Sequence, residues 1–362
     1  MKPDARAQFR SRGIGRVAAR SFSTARLSTM RGLRKRAWFF GTALLAVCLA
    51  VVLHDEAESA VAAKRSKVAK LHPAVQPAKL DIDPANGDKT LLADFATAPF
   101  PYDGRSSSGL LNVTAGKRKG HRNDATYRDD RVLLHIPRQF NINRPGVMVV
   151  FFHGHRATLS RDVRDRQKVP AQVSASGINA VLVAPQFAVN AADSSAGKFW
   201  EPGAFNRFVG EAAQKLGKLY DDPGAGQAFA NMPIVIVAYS GGYHAAASCL
   251  KVGGVDGRLK GVVLLDALYG DLDKFATWIT KNKSRFFVSS YTGSTRQRNY
   301  ALKAMLDHKN VAVEMSLQSS RWEHSVTFLP TNSKINHTNF VTRAWTNYPI
   351  ADLLSKLEEY RP

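Results

Sequence analysis

The sequence predicts an α/β fold with a mostly parallel central sheet flanked by helices. Three uninterrupted apolar runs support this prediction, at residues 146–152, 234–237 and 261–265. A strand without polar residues is typically covered on both faces, as in a parallel α/β sheet. The run at 234–237 leads into an alanine-rich segment, residues 243–250, that is typical of a helix.

The first 62 residues are predicted to direct export. Residues 1–36 contain eleven Lys and Arg and one acidic residue, and residues 37–53 contain no charge. A basic segment followed by an apolar run is typical of a cleaved signal peptide, and this run is also at the short limit for a membrane anchor. Ala60-Val61-Ala62 offers a cleavage site, and Met30 is an alternative start. Either interpretation predicts that the rest of the chain is periplasmic or extracellular.

Residues 63–80 are rich in Ala, Lys and Pro and are predicted to form a flexible linker, so residues 81–362 form one domain. The chain has a formal charge of +22, of which this domain carries +10. Basic clusters at residues 117–122 and 156–168 are either solvated loops or a surface for an anionic cell envelope. Since no zinc-finger or RNA-binding motif accompanies them, no nucleic-acid partner is expected. The sequence leaves the oligomeric state open.

The strand predicted at residues 146–152 ends in His153-Gly154-His155. A His-x-His pair can chelate a metal from a strand, but no carboxylate or cysteine lies beside this pair, so no metal site is expected. Another parallel strand is predicted at residues 179–183. The following segment, residues 193–208, mixes glycine with four aromatic residues. It is predicted either to form a sugar platform or acyl pocket beside a cleft, or to pack against a helix at residues 211–220.

Ser240 lies between the strand at 234–237 and the alanine-rich helix, in the sequence Ala-Tyr-Ser-Gly-Gly. The backbone must reverse here within about two residues, and the small side chains of Ala238, Gly241 and Gly242 permit such a turn. The turn projects the Ser240 hydroxyl outward, as a nucleophile requires. The alternative is a serine that caps a helix in another α/β fold.

Candidate acids and bases follow Ser240. The strand at 261–265 ends in Asp266, and Asp271 follows shortly after. Further strands are predicted at residues 285–290 and 311–317. His324 and His337 lie beyond them, and His337 directly precedes an amphipathic segment that ends at Leu357.

The small-x-Ser-x-Gly segment between a buried strand and a helix resembles the nucleophile elbow of the α/β-hydrolase superfamily, and the chain is similar to its exported, bacterial-type serine esterases and lipases. The resemblance implies Ser240 as nucleophile, His337 as base and Asp266 as acid, in the superfamily's chain order. Asp271 and His324 are the alternatives. It also implies an oxyanion hole formed by backbone amides near Gly154, His155 and Gly241.

One departure from the superfamily pattern concerns the acid. Most members carry it after the second strand beyond the nucleophile, where this sequence has no carboxylate after Ser290. A minority carry the acid one strand earlier, which is the position of Asp266.

The resemblance therefore implies an exported serine hydrolase that cleaves an ester of a small molecule or polymer through an acyl-enzyme, without a cofactor. The alternatives are a peptidase or amidase of the same fold, or an inactive hydrolase-fold protein that binds the cell envelope. The sequence does not identify the substrate.

Overall fold

The computed structural model describes residues 80–82, 87–102, 125–281, 284–317, 325–332 and 334–362. The predicted export segment, the linker up to residue 79, the basic cluster at 117–122 and His324 lie outside the described residues. Within them, no helix has both the length and the apolar character needed to cross a membrane.

A nine-stranded sheet runs through the described residues. In chain order its strands are β1 (Leu80–Ile82), β2 (Lys89–Asp94), β3 (Arg131–Ile136), β4 (Val147–Phe152), β5 (Ala180–Pro185), β6 (Ile234–Tyr239), β7 (Leu259–Leu265), β8 (Phe286–Tyr291) and β9 (Val326–Pro330). Across the sheet the order is β1-β2-β3-β5-β4-β6-β7-β8-β9. Neighbours from β5 to β9 are parallel, whereas β1, β2 and β3 pair in antiparallel fashion and β3 joins β5 the same way. The predicted fold class is confirmed.

Helices cover both faces of this sheet. They are α1 (Val169–Ala175), α2 (Ala204–Leu219), α3 (Gly226–Asn231), α4 (Tyr243–Val252), α5 (Leu272–Lys281), α6 (Arg296–Asp307) and α7 (Pro349–Leu354). The buried residues of α2 to α6 belong to one apolar core, and those of α1 and α7 belong to a second core. The sheet separates the two cores.

β4 shows why its sequence has no polar residue. Val150 and Phe152 pack into the first core, while Val149 and Phe151 pack into the second. Because successive side chains of a strand point to opposite faces, a strand between two cores must be apolar at every position.

The last strand differs from the prediction. Residues 311–317 are partly or largely exposed and form no strand, and only Glu314 makes an isolated bridge, to Thr327. The strand next to β8 is β9, in which Val326 and Phe328 are buried. Residues 311–317 mix apolar and polar side chains, and Met315 is 44% exposed. This segment therefore buries too little apolar surface to take the place of β9 beside β8.

The parallel strands bring their carboxyl ends to one edge of the sheet. β4 ends before Gly154, β6 ends before Ser240, and β7 ends before Asp266. In open α/β sheets, ligands bind at this edge.

Candidate active site

The turn after β6 holds Ser240 in the left-handed region of backbone space, with a φ of 52°. This conformation costs a residue with a side chain about 1–2 kcal/mol. Ser240 begins a short helical turn, Ser240–Gly242, that continues directly into α4. Gly242 is required at this bend, because a Cβ there would lie 2.5 Å from the Phe152 carbonyl oxygen. The sequence between β6 and α4 thus forms the sharp turn that was predicted.

His337 lies against Ser240. Its Nε2 is 2.9 Å from the Ser240 hydroxyl oxygen, and its Nδ1 is 2.6 Å from Oδ2 of Asp266. A serine hydroxyl, an imidazole and a carboxylate therefore form one chain of hydrogen bonds, the arrangement found in a Ser-His-Asp triad. The structure brings together Ser240, Asp266 and His337, which are 26 and 71 positions apart along the sequence.

Asp266 is fully buried. Besides His337, three residues of the loop after β8 donate hydrogen bonds to its carboxylate: the Thr292 amide and hydroxyl (3.0 and 2.7 Å), the Ser294 hydroxyl (3.0 Å to Oδ2) and the Thr295 hydroxyl (2.5 Å). Burial raises the pKa of a carboxyl, but the hydrogen bonds from His337, Thr295 and Thr292 outweigh this effect and lower the pKa of Asp266 to about 2. Asp266 is therefore a carboxylate at neutral pH.

The loop after β8 is the place where most α/β hydrolases carry the acid. In this chain the loop contributes hydroxyl and amide donors instead, and the carboxylate comes from the neighbouring strand end. The sequence did not indicate this role for Thr292 and Thr295, because single hydroxyl residues in a loop carry no specific signal.

Tyr239 holds the backbone that carries His337. Its ring stacks on the imidazole at a centroid distance of 5.1 Å and an angle of 23°. Its hydroxyl donates a 2.8 Å hydrogen bond to the His337 carbonyl oxygen, and Arg166 donates another to the carbonyl oxygen of Thr338. Sequence reasoning missed Tyr239, since a tyrosine at the end of a buried strand is more often a packing residue.

The predicted oxyanion residues surround the serine. A Cβ on Gly154 would lie 2.7 Å from the Ser240 Cβ, so the Gly154 backbone directly contacts Ser240. A Cβ on Gly241 would lie 2.4 Å from Cδ2 of His155. The His155 imidazole is itself hydrogen-bonded to the Ser194 hydroxyl (2.6 Å). Gly241 belongs to the first turn of a helix, where backbone N–H groups have no intrahelical acceptor.

His153 is a structural residue of this loop. The Phe187 amide donates to its Nε2 (2.9 Å), so the ring proton is on Nδ1, which donates to the Gly154 carbonyl oxygen (2.8 Å). Burial lowers the pKa of His153 to about 4, and the ring is therefore neutral at pH 7. Across the described ranges, no three His, Cys, Asp or Glu side chains are grouped in a way that could hold a metal ion.

Asp271, the alternative acid, lies in a different cluster. Its carboxylate accepts hydrogen bonds from Nδ1 of His244 (2.5 Å) and from Nζ of Lys274 (2.6 Å). His337 instead bonds to Asp266. His324, the alternative base, is outside the described residues.

Part of the basic cluster at 156–168 is neutralised locally. Arg161 and Arg166 both pair with the buried carboxylate of Asp162 (2.7 and 2.9 Å), and Arg164 pairs with Asp165 (2.7 Å). These pairs lie in the segment between β4 and α1.

The strand order, the strained serine after β6 and the triad geometry decide the fold family. The chain has the fold of the α/β-hydrolase superfamily. No protein-family model and no curated protein matches its sequence.

Solved structures of a hydrolase and of esterases resemble the chain at low identity. An S-formylglutathione hydrolase from Agrobacterium tumefaciens matches 78% of this chain and 98% of its own length, at 10% identity and a TM-score of 0.44. A feruloyl esterase module from Clostridium thermocellum matches 64% and 82%, at 12% identity and a TM-score of 0.43. An esterase from Pseudomonas putida matches 64% and 79%, at 15% identity and a TM-score of 0.38.

Proposed function

We propose that this domain is a serine hydrolase that cleaves a carboxylic ester through an acyl-enzyme on Ser240. The observation that carries the proposal is the continuous chain of hydrogen bonds from Ser240 through His337 to the buried carboxylate of Asp266. A neutral hydroxyl becomes an effective nucleophile when an oriented base lies within hydrogen-bond distance.

In this mechanism Nε2 of His337 accepts the Ser240 proton as Oγ attacks the ester carbonyl carbon. Asp266 accepts the Nδ1 hydrogen bond and stabilises the imidazolium that forms. His337 then donates the proton to the leaving alcohol. Water, deprotonated by the same imidazole, attacks the acyl-enzyme and releases the acid and free Ser240.

Backbone amides of Gly154, His155 and Gly241 are proposed to hold the oxyanion. The contact of Gly154 with Ser240 and the helix-start position of Gly241 support this role. The amides of Gly154 and His155 have no hydrogen-bond acceptor among the described residues. Each well-placed donor contributes about 3 kcal/mol to the transition state.

Covalent labelling tests the nucleophile directly. A fluorophosphonate should add once to the purified protein, as read by intact mass, and Ser240→Ala and His337→Ala should lose the adduct. Ser248→Ala is a matched control, because Ser248 is a buried serine of the same helical segment, and among the described residues its hydroxyl bonds only to the His244 carbonyl oxygen. A folded wild-type protein without an adduct would contradict the proposal and favour a binding protein.

Paired substrates separate esterase from amidase activity. The enzyme should hydrolyse ethyl esters and leave the amides with the same acyl groups intact on the same time scale. Faster turnover of the amides would identify a peptidase or amidase.

We also propose that the domain acts outside the cytoplasm, on the grounds of the basic and apolar residues 1–53. Fractionation of cells that express the full chain, with the N-terminus of the product read by mass spectrometry, tests this proposal. Cleavage after Ala62 indicates a signal peptide, an intact N-terminus in the membrane indicates an anchor, and a soluble cytoplasmic product contradicts export.

A further inference from the structure

Four aromatic side chains form a continuous row that starts beside His337. We call this row, which consists of Tyr269, Tyr243, His244 and Trp200, the aromatic shelf. The Tyr269 ring meets the His337 imidazole edge-on at 6.2 Å, and Tyr243 follows at 6.0 Å from Tyr269. His244 lies 5.8 Å from Tyr243, and Trp200 lies 4.5 Å from His244. The aromatic shelf thus joins three segments: the loops after β5 and β7 and the start of α4.

The aromatic shelf reaches solvent, unlike the neighbouring aromatic core. Tyr269 is 37% exposed, and Tyr243, His244 and Trp200 are partly exposed. Phe199, adjacent to Trp200 in the chain, is completely buried. Phe205 and Phe208 of the same segment are completely buried as well. The three phenylalanines of this segment are thus core residues, whereas Trp200 packs against the first core and is also partly exposed.

Charged side chains of both signs lie near the aromatic shelf. Asp271 accepts hydrogen bonds from His244 and from Lys274, and the Lys274 ammonium lies 5.4 Å from the Trp200 ring centroid. One carboxylate and one ammonium thus neutralise each other in a domain whose formal charge is +10. Arg298 adds a further positive charge that acts on Tyr243, so charge alone does not select an uncharged ligand.

Polar atoms accompany the ring faces. Asp271 occupies Nδ1 of His244 and leaves Nε2 without a partner among the described residues. Tyr243 and Tyr269 carry hydroxyl groups, and the Tyr269 hydroxyl is 3.4 Å from that of Ser294. Aromatic side chains of this kind offer apolar ring faces and hydrogen bonds at the same time.

We propose that the aromatic shelf binds the carbohydrate part of a sugar ester whose acyl group lies at Ser240. The C–H face of a sugar ring packs on an aromatic face, since the face of an aromatic ring carries partial negative charge. The sugar hydroxyls match the tyrosine hydroxyls and the free imidazole nitrogen. Hydrolysis adds water across the ester bond and releases the carboxylic acid and the free sugar hydroxyl. This inference rests on the proposed esterase function and names its substrate class.

Two acetate esters that differ only in the alcohol test the inference. We expect Trp200→Ala and Tyr269→Ala to lower kcat/KM for O-acetylated xylotetraose about tenfold more than kcat/KM for ethyl acetate. The loss should appear mainly as a higher KM. Tyr269→Phe keeps the ring and should therefore retain most of the wild-type kcat/KM for the sugar ester. Tyr300→Ala is the control, because Tyr300 is a 55% exposed aromatic residue of α6 outside the aromatic shelf. Equal losses on both esters, or an equal loss with Tyr300→Ala, would overturn the inference.

Binding without turnover separates this inference from the proposed function. Ser240→Ala should bind unacetylated xylotetraose in calorimetric titration, and a second substitution, Trp200→Ala, should weaken Kd about tenfold. Ethyl acetate hydrolysis without saccharide binding would leave the esterase standing and reject the carbohydrate. If the aromatic-shelf variants lost activity on aryl acetates rather than on the sugar ester, the aromatic shelf would bind aromatic alcohols instead. Saccharide binding without hydrolysis or fluorophosphonate labelling would reject the esterase alone.

Discussion

Asp266 receives hydrogen bonds from the His337 imidazole and from hydroxyl groups of the loop after β8. Because the hydroxyl groups hold the carboxylate independently of His337, the carboxylate keeps its orientation during the proton transfers proposed for His337. A neutral amide at position 266 could keep the shape of the side chain but would favour the wrong imidazole tautomer.

Asp266→Asn should therefore keep the fold, at a lower stability than the wild type because the hydrogen bonds to a charged group are lost, and lose about four orders of magnitude in kcat on an ethyl ester. Steady-state kinetics and a thermal unfolding scan measure the two effects. Asp271→Asn is the matched control, because Asp271 bonds to His244 and Lys274 rather than to the base. If Asp271→Asn caused the larger loss, the acid would have to be reassigned.

A substitution at Gly154 tests its contact with Ser240. In Gly154→Ala the new Cβ would lie 2.7 Å from the Ser240 Cβ, so the serine or the loop must shift. A displacement of about 1 Å in an active site lowers kcat about a hundredfold. Gly210→Ala in α2, where a Cβ meets nothing within 4 Å, should keep kcat and stabilise the fold by about 0.5–1 kcal/mol. Equal kcat values for both variants would contradict the close contact.

At the scale of elements, the loop after β8 and the end of β7 act as one unit around Asp266. Thr295→Val keeps the shape of the side chain but removes the 2.5 Å hydrogen bond to Oδ1. The loss of a hydrogen bond to a charged group should destabilise the protein by about 1.5–3 kcal/mol at pH 7. Urea unfolding measures this change, and Thr295→Ser, which keeps the hydroxyl, should restore most of the stability.

The same variant has a pH signature. The folded pKa of Asp266, about 2, lies below its ordinary value of 3.8, so this carboxylate stabilises the fold above pH 4 and loses that contribution as the pH falls towards 2. Thr295→Val should raise the folded pKa and make this acid-induced loss smaller. A loss as large as that of the wild type would show that the Thr295 hydroxyl does not stabilise the carboxylate.

The elements differ in how far the sequence predicts them. β4, β6, β7 and β8 were predictable, because strands between two cores are apolar throughout. β2 was not, since four of its six residues are only partly buried and its composition, Lys-Thr-Leu-Leu-Ala-Asp, is mixed. β9 was missed because its single buried aromatic residue follows a long polar stretch.

The candidate site shows the same division. Ser240 and Asp266 could be proposed from the sequence because each directly follows an apolar strand, and His337 because a closing amphipathic segment follows it. The donors around Asp266 could not, because Thr292, Ser294 and Thr295 meet the carboxylate only through the pairing of β7 with β8.

For the whole molecule, His153 links stability to pH. Its folded pKa of about 4 is below the ordinary value of 6.5, so the unfolded chain binds its proton first. The stability that depends on neutral His153 is complete above pH 6.5 and is lost as the pH falls from 6.5 to 4. The shift corresponds to about 3 kcal/mol.

Urea unfolding of the wild type and of His153→Gln at pH 7.5 and pH 4.5 measures this contribution. The free energy of unfolding should fall more steeply with acid in the wild type than in the variant, which has no group to protonate at this position. Identical pH dependences would mean that His153 is accessible to protons in the folded state.

Tyr239 fixes the position of His337 relative to Ser240. It is the residue before Ser240, and it holds His337 by a stacked ring and by a hydrogen bond to the His337 carbonyl oxygen. One peptide bond therefore connects the nucleophile to the support of its base. Because Tyr239 lies at the end of β6, the sheet rather than the surrounding loops sets the distance between Ser240 and His337, across which the proton is proposed to move.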